Sequence, residues 1–196
     1  MLEFVDFSLK FKDKDSLVTV VKKLNFKIEK GERFALVGES GSGKSVTAMS
    51  VLRLLPEATV EGKIYWNNID VLSKNTDIRA IRGKKISMIF QEPMSALNPV
   101  YTVGEQISEA LNHLTDLNAE KKNKKVLELL ELTGIDEPAR RAQCYPHELS
   151  GGQRQRILIS MALACEPNLL IADEPTTALD VTIRQQVMEL LYSIQK

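Results

Sequence analysis

The sequence predicts an α/β chain built on a parallel sheet, with a ligand along the C-terminal edge of that sheet. Three observations carry this reading. Short apolar runs at 34–37 (FALV), 85–90 (KISMIF) and 169–172 (LLIA) have the pattern of strands buried on both faces. Segments of helical spacing separate them. The polar motifs stand at the C-terminal ends of those runs, where open parallel sheets bind their ligands.

Taken in order, Val5, Phe7, Leu9 and Phe11 alternate along one face, and Leu24, Phe26 and Ile28 along another, which is strand spacing. Gly31 and Glu32 turn the chain into the run at 34–37, which leads straight into glycine. A helix is expected from 44 to Leu55, stopped by Pro56. Gly62 then opens the strand KIYW, which ends at the Asn67 and Asn68 turn. Val103, Ile107, Leu111 and Leu114 space one helix, and Val126, Leu129 and Leu130 a second that stops near Gly134. The middle of the chain is therefore a helical insert. Its lysines 121, 122, 124 and 125 read as a solvated helix face. Helices at about 152–165 and 182–195 flank the last apolar run.

At 196 residues the length fits one compact domain and is too short for two. With 43% hydrophobic and 27% charged residues the composition is that of a folded globular chain. Twenty-six basic against 26 acidic residues leave no bulk charge to attract nucleic acid or an anionic membrane, so no nucleic-acid partner is expected. Cys144 and Cys165 have neither CxxC spacing nor a nearby histidine, and read as reduced thiols. The start shows no basic leader followed by an apolar run, and the longest apolar stretch, at 157–165, is far below a bilayer span. A membrane role would then depend on another polypeptide.

The strongest signal is GESGSGKS at 38–45, a full GxxxxGK[ST] between a strand and a helix. Gly38, Glu39, Ser40, Gly41, Ser42 and Gly43 form a loop whose backbone N–H groups can curl around a polyphosphate at the positive end of the new helix. Lys44 would reach the β- and γ-phosphates, and the Ser45 hydroxyl can ligate Mg²⁺. At the tip of LLIA stand Asp173 and Glu174. Two adjacent acids suit a shared cation and a water substrate, with Asp173 in the metal shell and Glu174 as general base. LSGGQ at 149–153 opens the helix that carries Arg154 and Arg156. Ser150 is a good N-cap there, and Gly151 and Gly152 allow an anion close to the helix start.

GESGSGKS, a glutamine ending a strand at Gln91, LSGGQ, the DE of LLIADEP, and TTALD up to Asp180 stand in the order and register of the ATP-binding cassette. The chain thus resembles the motor subunit of ABC transporters. The resemblance implies a P-loop NTPase fold with a RecA-like parallel sheet core, an N-terminal antiparallel β-subdomain and an α-helical insert. It divides a single domain into about 1–90 with 155–196 for the β-subdomain and core, and about 91–154 for the helical subdomain. Two cassettes join head to tail in this family, so Ser150, Gly151, Gly152 and Gln153 would close over ATP held by a partner cassette. Gln91 would contact Mg²⁺ and the attacking water, together with the metal ligands Ser45 and Asp173, and Asp180 would cross the dimer interface. Phe11 is similar to the aromatic that stacks on adenine, although Phe4 and Phe7 share its strand and packing is the usual work of such residues. Val46 stands where a threonine often follows the serine, which removes one hydroxyl from the α-phosphate.

QEPMSALNP at 91–99, YPHELSGGQRQR at 145–156 and IADEPTTALD resemble cassettes of dipeptide, oligopeptide and nickel importers. GESGSGKSVTAMSVLRLLP is similar to the first cassette of the YejF-type tandem ATPases of microcin C and peptide import. His147, in the YPHEL segment, reads as a surface or cap residue. The resemblance implies ATP and Mg²⁺, integral-membrane permease subunits, and a cytoplasmic place on the inner face of the membrane. Cassettes of this family continue into a further buried strand ending in a histidine, so the C-terminal strands are expected to be missing. The unpaired neighbours would be the phosphate-loop strand and the strand ending at Asp173. Two other readings stand beside the importer motor: a nucleotide-binding module without turnover, and a soluble cassette ATPase of the DNA-repair or translation kind.

Overall fold

The computed structural model describes residues 1–14, 16–91, 96–112, 117–176 and 181–194. The chain forms two compact units, Met1–Ile81 and Arg82–Lys196.

The first unit is an antiparallel sheet of order β2-β1-β3-β4, formed by β1 (Leu2–Asp13), β2 (Ser16–Ile28), β3 (Thr59–Trp66) and β4 (Ile69–Asp70). Phe7 and Leu9 are buried as their spacing predicts, but Val5 and Phe11 are only half-buried and Phe4 is buried instead, because the register shift between Val5 and Ser8 breaks the alternation. Gly62 lies inside β3 and does not open it, because the ladder begins at Thr59, four residues before the expected start at Lys63. It makes a bulge opposite Asp6: its φ is +81°, and a Cβ there would collide with the Asp6 carbonyl. Asp6, itself at φ 46°, is held by Asn25, whose Oδ1 accepts from the Asp6 N–H at 2.8 Å.

The stretch 34–37 does not form the doubly buried strand expected of it. It lies outside the sheet ladders, with Val37 87% exposed and Leu36 39% exposed. A central parallel strand gains its burial from strands on either side, and the described residues of this unit provide none for it. Phe34 is anchored by stacking on Phe26 at 4.8 Å. Helix α1 (Lys44–Val51) follows and ends before the expected Leu55, because Arg53 takes a left-handed φ of 51°. The Arg53 guanidinium then caps the carbonyls of Ser73 and Thr76.

The second unit pairs β5 (Ile86–Ile89) with β6 (Leu169–Ala172) in parallel, in the register Ile86 to Leu169 through Ile89 to Ala172. β5 is fully buried. β6 is only half-buried, a departure from the doubly buried strand expected, since its ladder runs on one side among the described residues. Around the pair lie α2 (Val103–Leu111), α3 (Ala119–Leu132), the single turn α4 (Pro138–Arg141), α5 (Gly151–Leu163) and α6 (Val181–Ile194). The predicted helical apolar residues Val103, Ile107, Leu111, Val126, Leu129 and Leu130 are all buried in one cluster with Ile157, Ile159 and Val187. Leu114 lies outside the described residues.

Caps set the helix starts. Thr102 and Glu105 form a capping box on α2, Asn118 accepts from the Lys121 N–H on α3, and Ser150 with Gln153 caps α5. Inside the core the hydroxyls of Thr133 and Ser160 meet at 2.8 Å and also reach the carbonyls of α3, so neither is left unsatisfied.

Candidate functional site

In the first unit the phosphate-type loop turns on glycines that no other residue could replace cheaply. Gly41 and Gly43 have φ of +78° and +90°, and Gly43 is the N-cap of α1. A Cβ on Gly43 would stand 2.9 Å from Val21 Cγ2, so the loop sits directly on β2. A Cβ on Gly38 would stand 2.7 Å from Ser42 Oγ. Lys44, the first residue of α1, folds back so that Nζ donates to the carbonyls of Gly38 at 2.8 Å and Glu39 at 2.7 Å. Its ammonium thereby lies across the loop. Residues 38–42 of the loop are exposed, whereas Gly43, Lys44, Ser45 and Val46 are half-buried.

A cleft of about 180 Å³ opens beside it, lined by Val21, Leu24, Leu36 and Val37 on its apolar side and by the loop and Thr47 on the other. The hydroxyls of Thr47 and Ser50 are turned inward onto the carbonyls of Gly43 and Val46, so neither takes the place of the hydroxyl that Val46 lacks. Phe4 and Phe7 are buried against each other and, for Phe4, against Phe26. Phe11 is half-buried, paired with Val18 towards the tip of the β1–β2 hairpin.

In the second unit the parallel register delivers three predicted residues to one place. The Asp173 N–H continues the ladder by donating to Ile89 O at 3.0 Å, so the segments after β5 and β6 emerge side by side. Asp173 is buried and Glu174 exposed. The two neighbouring acids diverge because Glu174 adopts a left-handed φ of 46°, a conformation that costs about 1 kcal/mol or more outside glycine. Gln91 Nε2 then donates to Glu174 Oε2 at 2.9 Å. That bond was not legible in the sequence, where the two residues are 83 positions apart.

At the start of α5, Ser150 Oγ accepts from the Gln153 N–H at 3.3 Å and the Ser150 N–H donates to Gln153 Oε1 at 3.0 Å. The two glycines between them differ. Nothing lies within 4 Å of a Cβ placed on Gly151, whereas one on Gly152 would stand 2.9 Å from Ile183 Cγ2 of α6. Gly151 thus faces open space, and Gly152 is required by packing inside the chain. Asp180 lies outside the described residues. Further along α5 the Arg156 guanidinium bridges Thr133 and Gln186; the arginine is visible in the sequence, but its two acceptors lie 23 and 30 positions away.

The sequence profile described as ABC transporter matches residues 21–177. The chain belongs to the ABC transporter family. This cassette is 51% identical over 183 residues to the dipeptide transport ATP-binding protein DppD of Bacillus subtilis (strain 168), covering 91% of the chain and 55% of DppD. It is 50% identical over 195 residues to the peptidoglycan transport ATP-binding protein YejF of Agrobacterium fabrum, covering 97% of the chain and 36% of YejF. Among solved structures, the dimeric post-hydrolysis state of the ATP-binding cassette MJ0796 bound to ADP and Pi matches with a TM-score of 0.88. The identity there is 32%, over 100% of the chain and 83% of MJ0796. The chain spans about half the length, or less, of these curated relatives. The family that the motifs resemble is therefore the family found, and the mixed α/β cassette fold goes with it.

Proposed function

We propose that this chain is the ATP-binding and ATP-hydrolysing cassette of a membrane importer for peptides or related solutes, working on the inner face of the membrane. The observation that carries the reading is the meeting of Asp173, Glu174 and Gln91 at the C-terminal ends of β5 and β6, with Gln91 bonded to Glu174. Relatives named for dipeptide and peptidoglycan transport support the solute class. No helix among the described residues is long and apolar enough to cross a membrane.

In this reading the N–H groups of residues 38–43 cradle the triphosphate at the start of α1, and Lys44 leaves the Gly38 and Glu39 carbonyls for the β- and γ-phosphates. Phe11 offers its half-buried ring to adenine. Ser45 of the first unit offers a hydroxyl, and Gln91 and Asp173 of the second an amide and a carboxylate oxygen; each is a hard donor of the kind that suits Mg²⁺ held chiefly by phosphates and water. Bound there, Mg²⁺ would neutralise charge on the β- and γ-phosphates. Glu174 accepts the proton of the attacking water, and Gln91, already bonded to that carboxylate, orients it. Ser150, Gly151, Gly152 and Gln153 close over nucleotide held by a second cassette, with Asp180 at the shared interface; the MJ0796 dimer supports that arrangement.

The test is Mg²⁺-dependent ATP turnover by the full protein. Glu174→Gln is expected to lower kcat by about 10²–10⁴-fold while ATP still binds. Undiminished turnover in that variant would remove Glu174 as the base.

A further inference from the structure

We propose that Arg156 is a positioning residue: its guanidinium ties the first turns of α6 to α5, so that the signature motif and α6 move as one body. The proposal rests on the reading that the signature motif closes over nucleotide on a partner cassette.

Arg156 donates in two directions. Nη1 reaches Thr133 O at 2.6 Å, and Nη2 reaches Gln186 Oε1 at 2.8 Å. Thr133 is the C-cap of α3, where the helix end presents negative carbonyls and a cation is favoured. Gly134 makes room for this: its φ is +72°, and a Cβ there would stand 2.6 Å from Arg156 Nη1. The arginine is thus held rigidly at α3 while its other limb extends to α6. A planar fork serves two acceptors at once in a way that a lysine ammonium on a flexible stem does not.

A second contact lies on the same seam. Gly152 and Arg156 are four residues apart on α5, and Ile183 and Gln186 are three apart on α6, so each pair shares one helix face. Ile183 packs on Gly152, inside the signature motif itself, and Gln186 bonds to Arg156 one turn further on. Gln186 is exposed and Arg156 half-buried, so the bond between them adds little to stability. The helices are already held by a core containing Ile157 and Val187. What the fork contributes is the angular setting of α6 against the helix start that meets the partner's nucleotide.

The experiment measures ATP-driven association of cassettes in the full protein carrying Glu174→Gln, where blocked hydrolysis lets the closed pair accumulate. Adding Gln186→Ala is expected to weaken that association about tenfold, with the melting temperature and the nucleotide affinity measured below the association range unchanged. Gln186→Glu, whose carboxylate accepts the same guanidinium proton, should restore it, and Arg156→Lys should behave like Gln186→Ala. Association unaffected by Gln186→Ala overturns the proposal. So does a loss that tracks a lowered melting temperature and is not restored by Gln186→Glu, because that marks an ordinary stability contact. If the Glu174→Gln parent itself fails to associate with ATP, the underlying reading of the signature motif fails, and the proposal with it.

Discussion

Gln91 and Glu174 face each other across 2.9 Å at the ends of two parallel strands, an amide donating to a carboxylate that sits on left-handed backbone. The amide is neutral and donates this hydrogen bond without giving up its proton. Gln91 therefore holds the direction of Glu174 without competing for the proton that Glu174 is proposed to accept.

Replacing that amide by an acid tests the relationship. In Gln91→Glu two carboxylates share a hydrogen-bond distance and cannot both ionise freely, so the apparent pKa of the pair rises. The ascending limb of the kcat–pH profile should move to higher pH by about one unit or more. Gln91→Ala, which adds no second carboxylate, should lower kcat and move that limb less than Gln91→Glu does. An unmoved limb in Gln91→Glu would separate the two residues in the working enzyme.

The two signature glycines should respond differently to the same methyl group. Gly151→Ala places it in open space at a helix start, where alanine is the better helix former by up to about 1 kcal/mol, so stability should hold or improve. ATP turnover should still fall, because the methyl stands where a partner's phosphates would approach. Gly152→Ala instead drives a methyl into Ile183 and should destabilise by about 1–3 kcal/mol. Adding Ile183→Ala should recover much of that loss. Denaturant midpoints of the four proteins, read beside their turnover, distinguish packing from contact with nucleotide.

Acid stability should report the capping box on α2. The N–H and hydroxyl of Thr102 both donate to the Glu105 carboxylate, at 2.7 and 2.9 Å, and the backbone bond first, then the hydroxyl, hold its pKa below the ordinary value of 4.5. The unfolded chain therefore binds this proton more readily than the folded one. The box's charged contribution is present above 4.5 and is lost as pH falls through the lower folded value. Glu105→Gln keeps the box geometry and removes the titration. It should be less stable than the parent near neutral pH and indistinguishable from it in acid, which urea midpoints at the two pH values would reveal; a difference that persists in acid would contradict this assignment.

Where a feature is written in contiguous residues, the sequence was enough. The loop at 38–45 needs glycines at fixed places and a lysine at the helix start, and the structure has Gly41, Gly43 and Lys44 in those roles. The capping residues and the buried faces of α2 and α3 follow from spacing that the chain carries locally. Burial of a strand is different, because its neighbours provide it. That is why 34–37, as apolar as β5, lies exposed, and why β6 is only half-buried. The same holds for the bond from Gln91 to Glu174 and for the fork from Arg156 to Thr133 and Gln186. Each side chain offers donors or acceptors that the sequence displays, but the partner is chosen by strand register and helix packing across long separations, and these exist only once the chain has folded.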